Sequence, residues 1–163
     1  MEGPVEATGS WPWWGRERAF AGQGHFPASR KELEAVFLRD IWKGKNELLA
    51  EGDAATGVGC TRMVRGVIRE ELVAKENPSR RSTVYTYKVH KDDCGWGFKF
   101  PVYAHQGTVS LEERFATRTK GTWKIAIKPL PILGFVACLL CRMVLPGLFA
   151  RFAKFVAASK KRT

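Results

Sequence analysis

From Arg114 to Thr163 this chain has no aspartate or glutamate, yet it carries eleven lysines and arginines there. All sixteen acidic residues lie in Met1 to Glu113 beside sixteen basic ones, so the formal charge of +11 belongs to the last third. Such polarity suits an anionic partner, and it equally serves plain solubility. Nucleic acid is disfavoured because the basic residues are not interleaved with a recognisable reader motif. Cysteine is scarce: Cys60, Cys94, Cys138 and Cys141 lack the framework of a small secreted protein. Cys138-Leu-Leu-Cys141 has redox or zinc spacing, but no second such pair or nearby histidine completes a metal site, and the surrounding run is apolar. Buried reduced thiols are the expectation. His25, His90 and His105 are too far apart in sequence to support a metal site. Gly57-Val-Gly59 lacks the Gly-Lys-Ser/Thr and the following helix of a nucleotide loop, so its glycines are expected to serve a tight turn. No Ser/His/Asp ordering or paired-carboxylate motif stands out, and no cofactor is expected. Met1-Glu-Gly-Pro-Val-Glu has neither basic nor apolar leader character, which makes a cytosolic location the default expectation.

What is present bounds one domain. The 163 residues are 45% apolar and 26% charged, enough for a real core. Residues 1–15 read as a Trp/Pro/Gly-rich tail containing Trp11-Pro-Trp-Trp14, 16–158 as the folded domain, and 159–163 as a basic tail. The Trp cluster suits packing against the domain, a lid over an apolar opening, or an interface anchor. Residues 16–26 predict a strand. Ser29, with Glu32 three residues on and a stripe of Leu33, Val36 and Phe37, predicts a capped helix that Asp40-Ile-Trp-Lys-Gly44 closes, or that a second short helix follows before Gly44 breaks the run. Short strands are predicted at 58–66 and 67–75, with a turn at Asn77-Pro-Ser79, then at 82–90, where Thr83, Tyr85, Tyr87 and Val89 alternate. Trp96 lies on a loop as a lid or fixed plug. A strand at 102–112 puts Tyr103, His105, Gly107, Val109 and Leu111 on one face. The last strand, 119–128, turns Trp123, Ile125 and Ile127 inward.

This order, with one long helix after five or more antiparallel strands, predicts an α+β domain whose sheet curves around that helix and leaves an apolar space. It resembles the START-like, helix-grip superfamily of pathogenesis-related and pollen-allergen proteins, lipid-transfer domains and polyketide cyclase/dehydratase-like (SRPBCC) proteins. The likeness is carried by Phe26-Pro-Ala-Ser-Arg-Lys-Glu-Leu-Glu-Ala-Val-Phe37, by Glu51 to Arg62 with its glycines, and by Phe100 to Glu112 followed by Gly121-Thr-Trp123. It covers about Arg16 to Ala158. The resemblance implies a central cavity for a sterol, acyl chain, polyketide or aromatic compound, without implying catalysis.

The expected lining is Phe37, Cys60, Tyr85, Tyr87, Tyr103, His105, Trp123, Ile125, Leu139 and Met143. His105 and Tyr103 are the acid/base candidates if the protein is a cyclase or dehydratase; otherwise His105 is a satisfied core histidine. Arg62 and Arg69, beside Glu70-Glu71, read first as surface cross-strand pairs and second as an inward cation for an enolate.

The apolar run Pro131 to Ala150 admits two readings. As a membrane span it would bury Arg142 near its centre at about 2.5–3.5 kcal/mol, and Pro146-Gly147 would break or kink it. As the closing helix it completes the domain. It is apolar nearly all round from Ile132 to Cys141, more than one buried stripe needs, so its second face is expected to meet a second copy or an anionic membrane surface, or the helix to be unusually enclosed.

Overall fold

The computed structural model describes residues 15–44, 46–96 and 99–160. The Trp11-Pro-Trp-Trp14 cluster and Lys161-Arg-Thr163 therefore lie outside the described residues. Within them, seven strands form one antiparallel sheet in the order β1-β7-β6-β5-β4-β3-β2. They are β1 (Arg18–Phe26), β2 (Glu47–Ala50), β3 (Thr61–Val64), β4 (Ile68–Ser79), β5 (Ser82–Val89), β6 (Val102–Phe115) and β7 (Arg118–Pro129). A short helix α1 (Arg30–Val36) runs into a π-helical stretch, Phe37–Lys43, and a long helix α2 (Gly134–Lys160) closes the fold.

The local rules explain most of this. Ser29 caps α1 through a capping box: its side chain accepts from the Glu32 N–H, and the Glu32 carboxylate accepts from the Ser29 N–H at 2.7 Å. The 51–60 turn is organised by Asp53 Oδ1, which accepts from the Ala55 and Thr56 amides at 3.0 and 2.7 Å. Gly57 and Gly59 stand there at φ 74° and 82°, the conformations that a side chain would strain. On β5 the alternation holds, with Thr83, Tyr85, Tyr87 and Val89 all buried.

Several sequence expectations need correction. Strand β2 went unread, because four residues in one short stretch carry too little alternation. Asn77-Pro-Ser79 is the end of β4 rather than the turn, which falls between Ser79 and Ser82. Strand β3 is shorter than 58–66, since that segment's first part belongs to the glycine-bearing turn. Pro146 lies inside α2 without ending it, and α2 continues two residues into the expected C-terminal tail.

Helix α2 lies on the β1–β7 side of the concave face and meets α1. Its buried stripe is Ala137, Cys141, Leu145, Phe152 and Val156, spaced by four, four, seven and four residues. Phe152 packs edge-on against Phe26 at 4.8 Å and Phe149 stacks on the same ring at 6.4 Å. Burial of that stripe at about 25 cal/mol per Å² of apolar area is what holds the helix in the grip.

Candidate functional site

Between sheet, π-helical stretch and α2 lies a continuous aromatic cluster. Phe37 packs against Tyr85, Trp42 and Trp123 at 4.7, 6.1 and 6.0 Å between ring centroids. Tyr87 meets Trp42, Trp123 and His105 at 5.3, 6.2 and 5.7 Å, and Phe100 meets His105 at 5.7 Å. Cys60, Trp123 and Ile125 are buried with them. The sheet delivers these rings from β5, β6 and β7 because alternate residues of each strand face the concave side.

Polar atoms inside this cluster are few and specific. The Trp123 indole donates to the Tyr87 hydroxyl at 2.7 Å. Burial, reinforced by the charge of Glu70, pushes the Tyr87 phenol above its ordinary value, so it stays protonated. His105 Nδ1 and Trp42 Nε1 are buried with no hydrogen-bond partner among the described residues. Burial lowers the His105 pKa, with Glu70 pulling the other way, so the imidazole is neutral at pH 7. A neutral imidazole nitrogen needs a donor or an acceptor according to its tautomer, and an indole N–H needs an acceptor. Unmet buried groups of this kind are rare and costly.

Below them sits a buried ion pair. Arg62 donates from Nε and Nη2 to Glu70 Oε2 at 2.9 and 2.6 Å, and from Nη1 to the carbonyls of Ile41 and Trp42 at 2.8 and 3.0 Å. Its guanidinium lies 4.0 Å from the Trp42 ring centroid. Both carbonyls stand at the end of the π-helical stretch, where helix carbonyls look outside the helix for donors; Arg62 serves both, and the Asn46 side-chain amide also donates to the Trp42 carbonyl at 3.1 Å. The cross-strand pairing expected for Arg62 is present, with Glu70, but its surface location is corrected: the pair faces inward. Arg69, on the opposite face, takes the outer role with Asp93, donating from Nε at 2.9 Å.

A second polar group closes the α1 side. Glu34 accepts from Thr83 at 2.7 Å and Tyr85 at 3.3 Å, pairs with Lys75 at 3.0 Å, and is bonded by Arg30. Burial raises the Glu34 pKa, but the hydrogen bonds from Thr83 and Lys75 and the charges of Lys75 and Arg30 outweigh it, and the net shift is downward. The folded chain therefore holds fewer protons than the unfolded one just below the ordinary value of 4.5, and its stability falls as pH drops through that region. Denaturant midpoints measured against pH should show this loss, and Glu34→Gln should flatten it; an unchanged slope would assign the acid sensitivity elsewhere.

Three of the predicted lining residues turn away from the interior. Tyr103 is 54% exposed, because the register shifts between Val102 and Ala104 and hands the inward position to Val102. Leu139 and Met143 are 47% and 66% exposed. Each stands two residues from Cys141, and two residues rotate a helix by about 200°, onto the opposite face. Cys141 is α2's inward residue at this level, its thiol pushed up to about 12 mainly by burial. The His105–Tyr103 acid/base pair is therefore not assembled, and the tyrosine beside His105 is Tyr87. Trp42, Phe100, Glu70 and Glu34 were missed as interior residues, whereas Arg62 faces inward as its second reading had it. The only sequence signal was the glycine-rich turn leading into Arg62. Two surface concavities, of about 360 and 530 Å³, lie at the far end of the sheet around Arg81, Arg114 and Arg118 and share no residue with the aromatic cluster.

No protein-family model matches this chain, and no curated protein matches it in sequence. Solved structures do match in shape. A point mutant of norcoclaurine synthase from Thalictrum flavum, in complex with a transition-state analogue, superposes with a TM-score of 0.66 at 15% identity, over 89% of this chain and 97% of that one. The protein Ara h 8.0201 gives 0.61 at 13% identity, over 88% and 99%. CalU16 from Micromonospora echinospora gives 0.59 at 12%, over 98% and 88%. The fold is the START-like helix-grip fold.

Proposed function

We propose that the protein binds a hydrophobic small molecule or lipid in the interior of the grip, with the molecule's oxygen-bearing end held by His105 and Trp42. The observation that carries this reading is the pair of buried, unpartnered polar atoms, His105 Nδ1 and Trp42 Nε1, on rings that both contact Tyr87. An apolar wall with a few convergent polar groups is the usual make-up of a small-molecule site. A ligand hydroxyl or carboxylic acid meets both demands, since it accepts from the indole and answers either imidazole tautomer. The shape relatives support a small-molecule partner: one of the norcoclaurine synthase structures holds dopamine and hydroxybenzaldehyde.

The test is native mass spectrometry with extraction of any bound compound, followed by titration of a sterol, a long-chain fatty acid and a phenol while tryptophan emission is recorded. His105→Ala and Trp42→Phe are expected to weaken binding about threefold to tenfold each, the worth of one hydrogen bond. Unchanged affinity in both variants would overturn the assignment of the polar end. A cyclase- or dehydratase-like enzyme is the second reading, with His105 as acid/base and Tyr87 in place of Tyr103. It requires turnover that drops at least about tenfold in His105→Ala.

A further inference from the structure

The concave side of α2 is accounted for, and its outward side is not. Phe135, Val136, Leu139, Leu140, Met143 and Val144 are all at least 41% exposed, along one half of the helix. Over Gly134–Ala158 the helix is long and apolar enough to cross a membrane, yet most of that stretch is exposed, whereas a core helix is mostly buried. A continuous apolar surface of this extent marks an interaction site.

The topology adds to it. Strands β3, β5 and β7 run in the same direction, so the connections that follow them lie at one end of the sheet, beside the start of α2. Each connection presents an apolar tip: Val67 at 45%, Trp96 at 51% and Ile132 at 77% exposure. Gly15 donates to the Pro129 carbonyl at 3.0 Å at this same end. Trp is the residue favoured at a membrane–water interface.

Charge decides the occupant. Past the apolar half, the outward face of α2 carries the exposed Arg151 and Lys154, and the chain has no acidic residue from Arg114 onward. Arg65 and Lys128 are exposed at the loop end. A second copy seated here would bring two chains of +11 together, while an anionic surface is attracted. We propose that the outward face of the first half of α2, with the tips Val67, Trp96 and Ile132, docks this end of the grip on an anionic phospholipid bilayer. The helix lies along the interface rather than across it, because its inward stripe stays packed in the sheet. This inference stands independently of what the interior binds.

Flotation with vesicles of phosphatidylcholine alone, and with an equimolar mixture of phosphatidylcholine and phosphatidylserine, tests it on the full chain. The protein is expected to float with the mixed vesicles and to dissociate as salt screens the attraction. The double variant Leu139→Glu, Met143→Glu should reduce the vesicle-bound fraction at least about tenfold, since two outward apolar contacts are lost. It should keep the parent's thermal unfolding midpoint, because neither side chain belongs to the buried stripe. Absence of flotation, equal flotation on neutral vesicles, or a double variant that floats like the parent overturns the proposal. So does a dimer in light scattering that the same variant dissociates while the parent fails to float.

Discussion

Replacing Arg62 by Met is expected to cost about 3–5 kcal/mol of folding stability, the range for breaking a buried ion pair from one side. Glu70 is 8% exposed and accepts two bonds from this guanidinium, so the variant leaves a carboxylate buried beside Tyr87 and His105. The same substitution removes the Arg62 donor from the Ile41 and Trp42 carbonyls at the end of the π-helical stretch, leaving Trp42 only the Asn46 side-chain amide at 3.1 Å. Lysine is no remedy, because it lacks the planar fork that serves the carboxylate and the carbonyls together. The double variant Arg62→Met, Glu70→Leu should recover most of the loss, since a buried pair exchanged for apolar side chains of similar size is often neutral. Denaturant unfolding of the three proteins reads this directly. A double variant as unstable as the single one would place the cost in the carbonyls rather than in the orphaned carboxylate.

Gly107→Ala is expected to be the second large effect, at about 3 kcal/mol, combining overpacking with a lost buried hydrogen bond. A Cβ at position 107 would stand 1.9 Å from Tyr87 Cζ and 2.4 Å from its hydroxyl oxygen. The ring has little room to retreat, being packed against Trp42 and Trp123 in edge-on geometry. Displacing it breaks the 2.7 Å bond from the Trp123 indole and uncovers the His105 side of the cluster. The near-ultraviolet circular dichroism should change along with the denaturant midpoint, and Tyr87→Ala in the same background should restore part of the stability. A Gly107→Ala variant with parental stability and spectrum would show that the ring relocates at no cost, and the cluster would then be far softer than described.

How much of this was legible depended on whether each residue's neighbours carried an independent marker of phase. Strand β5 was read correctly because Thr83, Tyr85, Tyr87 and Val89 alternate with more exposed partners, and β7 because Lys124 and Lys128 mark its outer face. Strand β6 was read correctly from His105 to Leu111 and wrongly at Tyr103, because the irregularity between Val102 and Ala104, just after Pro101, shifts the phase inside the strand. Helix α2 offered no phase at all. Residues apolar on every side fit any rotation about the helix axis, so Leu139 and Met143 were as plausible inward as Cys141. Arg62 read as a surface residue because charge is normally outside. Its inward turn depends on carbonyls supplied by Ile41 and Trp42, twenty or more residues earlier in the chain.

The sequence by itself determined the order of the main elements, the capped first helix, the glycine turn, the inward rows of β5 and β7 and the acid-free basic third, since each rests on local periodicity, turn chemistry or plain composition. Only the tertiary structure decided which face of α2 is buried, that His105 stands beside Tyr87 instead of Tyr103, and that Arg62 and Glu70 pair inside the grip. Those outcomes depend on register and on rotation about a helix axis, and both are set by packing between residues far apart in the chain.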